Sequence, residues 1–277
     1  MYQFEPLAPE SVSARALVLS LMSGTQAGPQ SIARLIHAAA LFGIEASTLR
    51  VAVARLIKDG LLESPDRGLY QPGHRAKAFT RRVQDWQNVR ARMAPWNGDW
   101  LVALTHNLGR SDRKQLRARE RALALSGYRE AGAGLWVRPA NLARTLEDHR
   151  RDLVAIGADA AIQLLRVSET AMPEAPGWPA LWPPDQLARA YAAALKAMQD
   201  SLASLPGKHA DEAARETLLT GQAVIRLINF DPLLPPELGP QAEFLRVVDA
   251  MLQYNETGQK YWRAYNAAAA STLAPKA

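Results

Sequence analysis

Apolar residues recur at helical spacing in three short stretches at the front of the chain. Ala14, Leu17, Val18 and Leu21 fall on one side of residues 13–23, which Gly24 closes. Ile32, Leu35, Ile36 and Ala39 repeat after Pro29 until Gly43 breaks the pattern, and Leu49, Ala52, Val53, Leu56 and Ile57 repeat over 46–59 until Gly60. Two extended pieces follow, Leu61 to Glu63 and Leu69 to Gln71. Between them lies Pro65-Asp-Arg-Gly68, in which proline presets φ and glycine accepts a positive one. Three helices and a hairpin predict a winged helix-turn-helix over residues 1–74.

The pattern then changes twice. Residues 75–93 are polar and helical, with Arg81, Arg82, Arg90 and Arg92 spaced along them, and predict a solvated connector over 75–99 that ends in the turn Pro95-Trp-Asn-Gly-Asp-Trp100. Beyond it come a strand (100–106), a helix (112–126), an extended segment (128–139) kinked at Gly132 and Gly134, a helix (141–156) and a strand (161–167). That alternation predicts a ferredoxin-like α+β domain over 100–170. Residues 173–184 form a proline-rich linker holding Trp178 and Trp182. Helices over 184–205, 209–229 and 241–269, interrupted by Asp231-Pro-Leu-Leu-Pro-Pro-Glu-Leu238, predict an all-α domain over 171–277. The expected class is α+β and multidomain.

The third helix carries the first functional signal. With successive residues 100° apart, the face opposite its apolar stripe holds Ser47, Thr48, Arg50, Val51, Ala54, Arg55 and Lys58. Hydroxyls, small side chains and bases with no acid among them suit a helix entering a major groove. A solvated basic face is the plain alternative. Arg67 at the hairpin tip, placed to reach a neighbouring minor groove or phosphate, favours the DNA reading.

Charge and composition sharpen this picture. The net charge is +6, distributed as +4 over residues 1–99, +4 over 100–170 and −2 over 171–277, so a polyanion-binding surface belongs in the front two thirds. Hydrophobic residues at 48% and charged residues at 22% are those of a globular chain with a sizeable core. There is no cysteine, which excludes disulfides, thiolate catalysis and Cys-ligated metal centres. The apolar stretch Ala16 to Met22 follows Glu5 and Glu10 and precedes no A-x-A cleavage pattern, and no run reaches the length of a membrane span. A cytoplasmic protein without membrane contact is expected. His37, His74, His106, His149 and His209 show no metal-ligand spacing, and Gly132-Ala-Gly134 leads into an extended segment rather than a phosphate-binding helix. No cofactor is expected. Arg110, Arg113, Lys114, Arg117 and Arg121 share a helical face suited to phosphates, or to solvent with partial pairing to Asp112 and Glu120.

Ser13-Ala-Arg-Ala16, Phe42-Gly-Ile44 with Leu49-Arg50 and Ala54-Arg-Leu56, Gly60-Leu-Leu62, Trp96-Asn-Gly-Asp-Trp100, Gly134-Leu-Trp-Val-Arg-Pro139 and Asp231 to Leu238 follow one another along the chain. In that order and spacing they resemble the PaaX family, repressors of phenylacetate degradation. The resemblance runs from about Ser13 to about Arg263. It implies a homodimeric repressor with a winged helix, a middle domain shaped like the CRISPR adaptation endoribonucleases and a helical C-terminal domain. It further implies release from operator DNA by an aryl-acyl-CoA such as phenylacetyl-CoA. On that reading Arg110, Arg113, Lys114, Arg117 and Arg138 are candidates for the phosphates of the effector, and Trp136, Trp178 and Trp182 for its acyl group. Two departures stand out: Glu45 replaces the serine usual before the recognition helix, and the tryptophan-proline-glycine usual after Leu238 is absent. Nuclease activity is not expected, since His106-Asn107 stands where the nucleases carry a magnesium-binding aspartate. The competing class is an architectural protein that binds DNA constitutively, with no acyl-CoA effector.

Overall fold

The structure, a computed structural model, describes residues 4–22, 28–76, 85–171 and 177–273. Its contacts divide into two compact units. One contains Phe4–Trp86, Ala192–Arg226 and the chain from Val247; the other contains Gln87–Tyr191 and Leu227–Arg246.

In the first unit α1 (Ala14–Met22), α2 (Ile32–Ala40) and α3 (Ala46–Lys58) surround a core of Leu17, Val18, Leu35, Ala39, Leu49, Val53, Leu56 and Leu62. Strands β2 (Leu62–Asp66) and β3 (Leu69–Pro72) form the hairpin. A two-residue strand β1 (Gln30–Ser31) joins its far side, with Gln30 opposite Tyr70, giving the order β1-β3-β2. Helix, strand, helix, helix and hairpin make a winged helix. The turn is tighter than the sequence suggests: β2 reaches Asp66, leaving Arg67-Gly68 at the tip. A register shift between Glu63 and Asp66 absorbs Pro65, and the Ser64 hydroxyl donates to the carbonyls of Asp66 and Leu69. Ile57, expected in the core, lies at the margin of the buried stripe and is 39% exposed.

The expected polar connector is corrected in part. Arg81 and Arg82 lie outside the described residues. Over 85–92 the chain is a 3₁₀ helix rather than an α-helix, and Trp86 and Val89 are buried, so it is not a solvated linker. Burial of two large apolar groups outweighs the polar composition around them.

The second unit is built on β4 (Trp100–Leu104), α4 (Arg113–Leu125), β5 (Arg129–Gly132), β6 (Leu135–Pro139), α5 (Leu146–Ala155) and β7 (Gln163–Val167). The sheet order is β5-β6-β4-β7 with every pair antiparallel, the arrangement of a ferredoxin-like βαββαβ unit. Alternation along the strands sends Leu101, Ala103 and Trp136 to the face packed with Ala122, Leu123 and Leu153 of α4 and α5. The extended segment expected over 128–139 is a hairpin. The helix expected from residue 141 starts at Leu146, because Thr145 and Asp148 form a capping box there. On the other face Trp100 stacks with Trp182 and meets Trp178 edge-on, at centroid distances of 5.9 and 5.4 Å.

Helices α6 (Pro184–Ser204), α7 (Ala210–Asn229) and α8 (Gln241–Leu273) complete the chain, and each contributes residues to both units. In the first unit Leu218 of α7 packs against the winged-helix core. In the second, Asp231 to Pro235 of the motif between α7 and α8 are buried, while Pro236 and Glu237 are exposed. Pro232 and Leu233 direct their carbonyls at Arg138 and Asn141, which donate across 3.3 and 2.6 Å. Among the described residues no helix is long and apolar enough to cross a membrane.

Candidate nucleic-acid interface

Helix α3 is held on its inner side by Leu49, Val53 and Leu56. The turn before it closes on Ala39 and Ala40: Ile44 N–H donates to Ala39 O and Gly43 N–H to Ala40 O, both across 3.1 Å. Gly43 has φ of +64, which this reversal requires and which glycine adopts without a Cβ penalty. The entry to α3 lacks a side-chain cap, since Glu45 makes no hydrogen bond to the first-turn amides.

All of Ser47, Thr48, Arg50, Val51, Ala54, Arg55 and Lys58 are exposed, and so is Arg67 on the wing. Val51 is 50% exposed and offers an apolar contact of the kind a thymine methyl accepts. None of Arg50, Arg55, Lys58 and Arg67 forms an ion pair with another described residue, whereas Arg15, behind this face, is paired with Asp59 at 3.0 Å. The face is therefore an unneutralised cationic surface punctuated by hydroxyls and small side chains.

The candidates of the second unit are not brought to one place. Arg113, Lys114 and Arg117 are exposed along α4, whereas Arg110, expected on the same helical face, is exposed in the loop ahead of the Asp112 cap; none of the four is ion-paired to a described residue. Asp112 does not neutralise them: its carboxylate caps the helix by accepting from the backbone amides of Lys114 and Gln115. Arg119 in the same run is buried against Asp159 at 3.2 Å. Trp136 lies on the helix-covered face of the sheet, and Trp178 and Trp182 pack on Trp100 at the opposite face. Arg138 is buried, donates to the carbonyls of Ser126, Pro139 and Pro232 and to Asn141 Oδ1, and lies over the Tyr128 ring at 5.9 Å. It binds the chain to itself. Its hold on the Pro232 carbonyl links positions 94 residues apart, which no local pattern in the sequence signals.

Among the described residues no three His, Asp or Glu side chains converge as a metal site. His106 and Asn107 are exposed beyond β4.

Residues 13–72 match the family described as PaaX-like protein. A comparison with curated proteins finds no match. Among solved structures, the uncharacterized protein Rv0674 from Mycobacterium tuberculosis is similar at 26% identity with a TM-score of 0.53, covering 89% of this chain and 99% of that one.

Proposed function

We propose, from the premise that residues 13–72 belong to the PaaX-like family, that the chain is a transcriptional repressor that reads double-stranded DNA with α3 and the wing. The supporting observation is the α3 face itself: Arg50, Arg55 and Lys58 stand exposed, with no acidic partner among the described residues, beside Ser47, Thr48 and Val51. In the major groove the arginines reach guanine or phosphate, the small residues allow close approach, and Arg67 touches the flanking backbone. One winged helix reads too few bases to find a site in a genome. The repressor therefore acts as a homodimer on a site with matching twofold symmetry, in the cytoplasm, and no reaction is assigned to it.

Its effector is an acyl-CoA thioester, with phenylacetyl-CoA the first candidate. The exposed cations Arg110, Arg113, Lys114 and Arg117 are proposed to take the CoA phosphates, and Trp136, on the face of the sheet that α4 covers, is the candidate for the acyl group. Such a ligand acts only by preferring one state of the protein, and a hundredfold fall in DNA affinity requires a preference of about 2.7 kcal/mol. The second reading is constitutive DNA binding without an effector.

Duplexes selected by the wild-type protein from a randomised pool supply the test. Anisotropy titrations across a salt series should show Arg50→Ala and Arg55→Ala binding more weakly, with each lost phosphate contact lowering the salt slope by about one. Unchanged affinity in both variants removes α3 from the groove. Adding phenylacetyl-CoA, alkyl-CoA thioesters or free CoA to the complex separates the two readings, since no shift with any of them leaves the constitutive one.

A further inference from the structure

Tyr265 of α8 and His37 of α2 are stacked, with ring centroids 4.1 Å apart and planes 12° from parallel. The Tyr265 hydroxyl donates to the His37 carbonyl oxygen across 2.9 Å and lies 3.4 Å from His37 Nδ1. Trp262, one turn earlier on α8, meets the Tyr265 ring edge-on at 5.9 Å. All of these residues belong to the winged-helix unit.

The carbonyl that Tyr265 takes is a particular one. In a helix ending at Ala40, His37 O is among the last four carbonyls, which have no intrahelical N–H to accept from. The chain next turns through Leu41–Gly43 into α3, and that turn is fixed by the Phe42, Gly43 and Ile44 amides donating to Ala39 O, Ala40 O and Ala39 O. A hydroxyl supplied from 228 residues away thus closes the end of α2 at the start of the turn that aims the recognition helix.

We propose that Tyr265 is a positioning residue for DNA recognition, capping the last turn of α2 so that α3 is presented at one fixed angle. The inference rests on the DNA-binding reading above. Its physical basis is leverage: Lys58 lies about 18 Å along the helix axis from Ala46, so a tilt of a few degrees at Ala46 moves Lys58 by more than a hydrogen bond tolerates. Tyr265 brings no charge to DNA, so it acts on affinity through geometry and leaves the count of phosphate contacts alone.

Tyr265→Phe removes the hydroxyl and keeps the stacked ring; Tyr265→Leu removes both. Amide hydrogen exchange on the full chain should speed up at Phe42, Gly43 and Ile44, about fivefold in Tyr265→Phe and more in Tyr265→Leu, the size expected from losing one hydrogen bond. Affinity for the duplex selected by the wild-type protein should fall by a similar factor with the salt slope unchanged, in contrast to Arg55→Ala. Unaltered exchange in both variants overturns the cap. Faster exchange with unaltered affinity overturns the positioning role. Failure of the wild-type protein itself to bind any duplex overturns the functional reading, and the positioning role with it.

Discussion

The Tyr191 hydroxyl donates a hydrogen bond to the carboxylate of Asp231, and both residues are buried. Asp231 also accepts from the Leu233 amide at 2.8 Å, which holds Leu233 at φ +53, the one non-glycine residue with positive φ among the described residues. The turn so formed presents the Pro232 and Leu233 carbonyls to Arg138 and Asn141. Burial pushes the Asp231 carboxyl up to about 7, against the opposing pull of the Tyr191 and Leu233 hydrogen bonds and the Arg138 and Arg92 charges.

A carboxyl bound more tightly to its proton in the folded state contributes stability below its unfolded value of 3.8 and loses it as pH rises through about 7. Within that window the group lowers stability by up to about 1.4 kcal/mol per pH unit. Asp231→Asn should remove this contribution, so that the variant and the wild type diverge by this slope between about 4 and 7. Urea unfolding at a series of pH values measures it, and parallel curves for wild type and variant would show that Asp231 titrates normally.

His149 should behave in the opposite sense. Burial, reinforced by Arg138, Arg144 and Arg166, pushes its imidazole down to about 3. Its stabilising contribution is present above the unfolded value of 6.5 and disappears as pH falls toward 3. Between about 4 and 6.5 the two groups nearly cancel, so the wild type is expected to be flat there while Asp231→Asn loses stability on acidification and His149→Gln gains it. If the single variants shift the same way, one of the two assignments is wrong.

The elements legible in the sequence are those whose pattern is local. The helices of the winged helix show because Leu17, Leu35 and Leu49 each sit in an amphipathic stripe that their own segment defines. Strand β1 does not, because two residues carry no period and Gln30 is extended only through its pairing with Tyr70. Arg138, a candidate for the effector's phosphates in the sequence, is buried by partners far along the chain, such as Pro232. Trp136, Trp178 and Trp182 look like one aromatic set in composition, but the strand alternation that separates them is fixed only once β4 and β6 are paired. The exposed α3 face was legible residue by residue, since a helix needs only its own period to declare which side is dry.

Gly127 ends α4 with φ of +80, and a Cβ there would lie 2.9 Å from Pro232 O, itself held by Arg138. A carbonyl fixed in this way cannot yield as a flexible side chain does. Gly127→Ala is expected to cost about 2 kcal/mol or more, from strained backbone together with the clash. Gly132→Ala serves as control, because nothing lies within 4 Å of its Cβ. That variant should stay within about 0.5 kcal/mol of wild type. Equal melting temperatures for the two would mean that the 231–238 turn does not press on Gly127.

Glu45 occupies the N-cap of α3 without bonding the first-turn amides, while its charge sits at the positive end of the helix dipole. Serine in its place gains a cap worth about 1 kcal/mol and forfeits a dipole interaction of about 0.3–1 kcal/mol, so the net change in stability should be small and favourable, at most about 0.7 kcal/mol. The effect on DNA should be larger. An acid at the mouth of the groove repels phosphate, and its removal is expected to tighten binding to the selected duplex several-fold at low salt, with the gain shrinking as salt screens the repulsion. A parallel titration of Glu45→Gln, which removes the charge without supplying a short cap, separates the two contributions. It should reproduce the gain in affinity and none of the gain in stability. Equal DNA binding by wild type and both variants at low salt would place Glu45, and with it the start of α3, away from the phosphates.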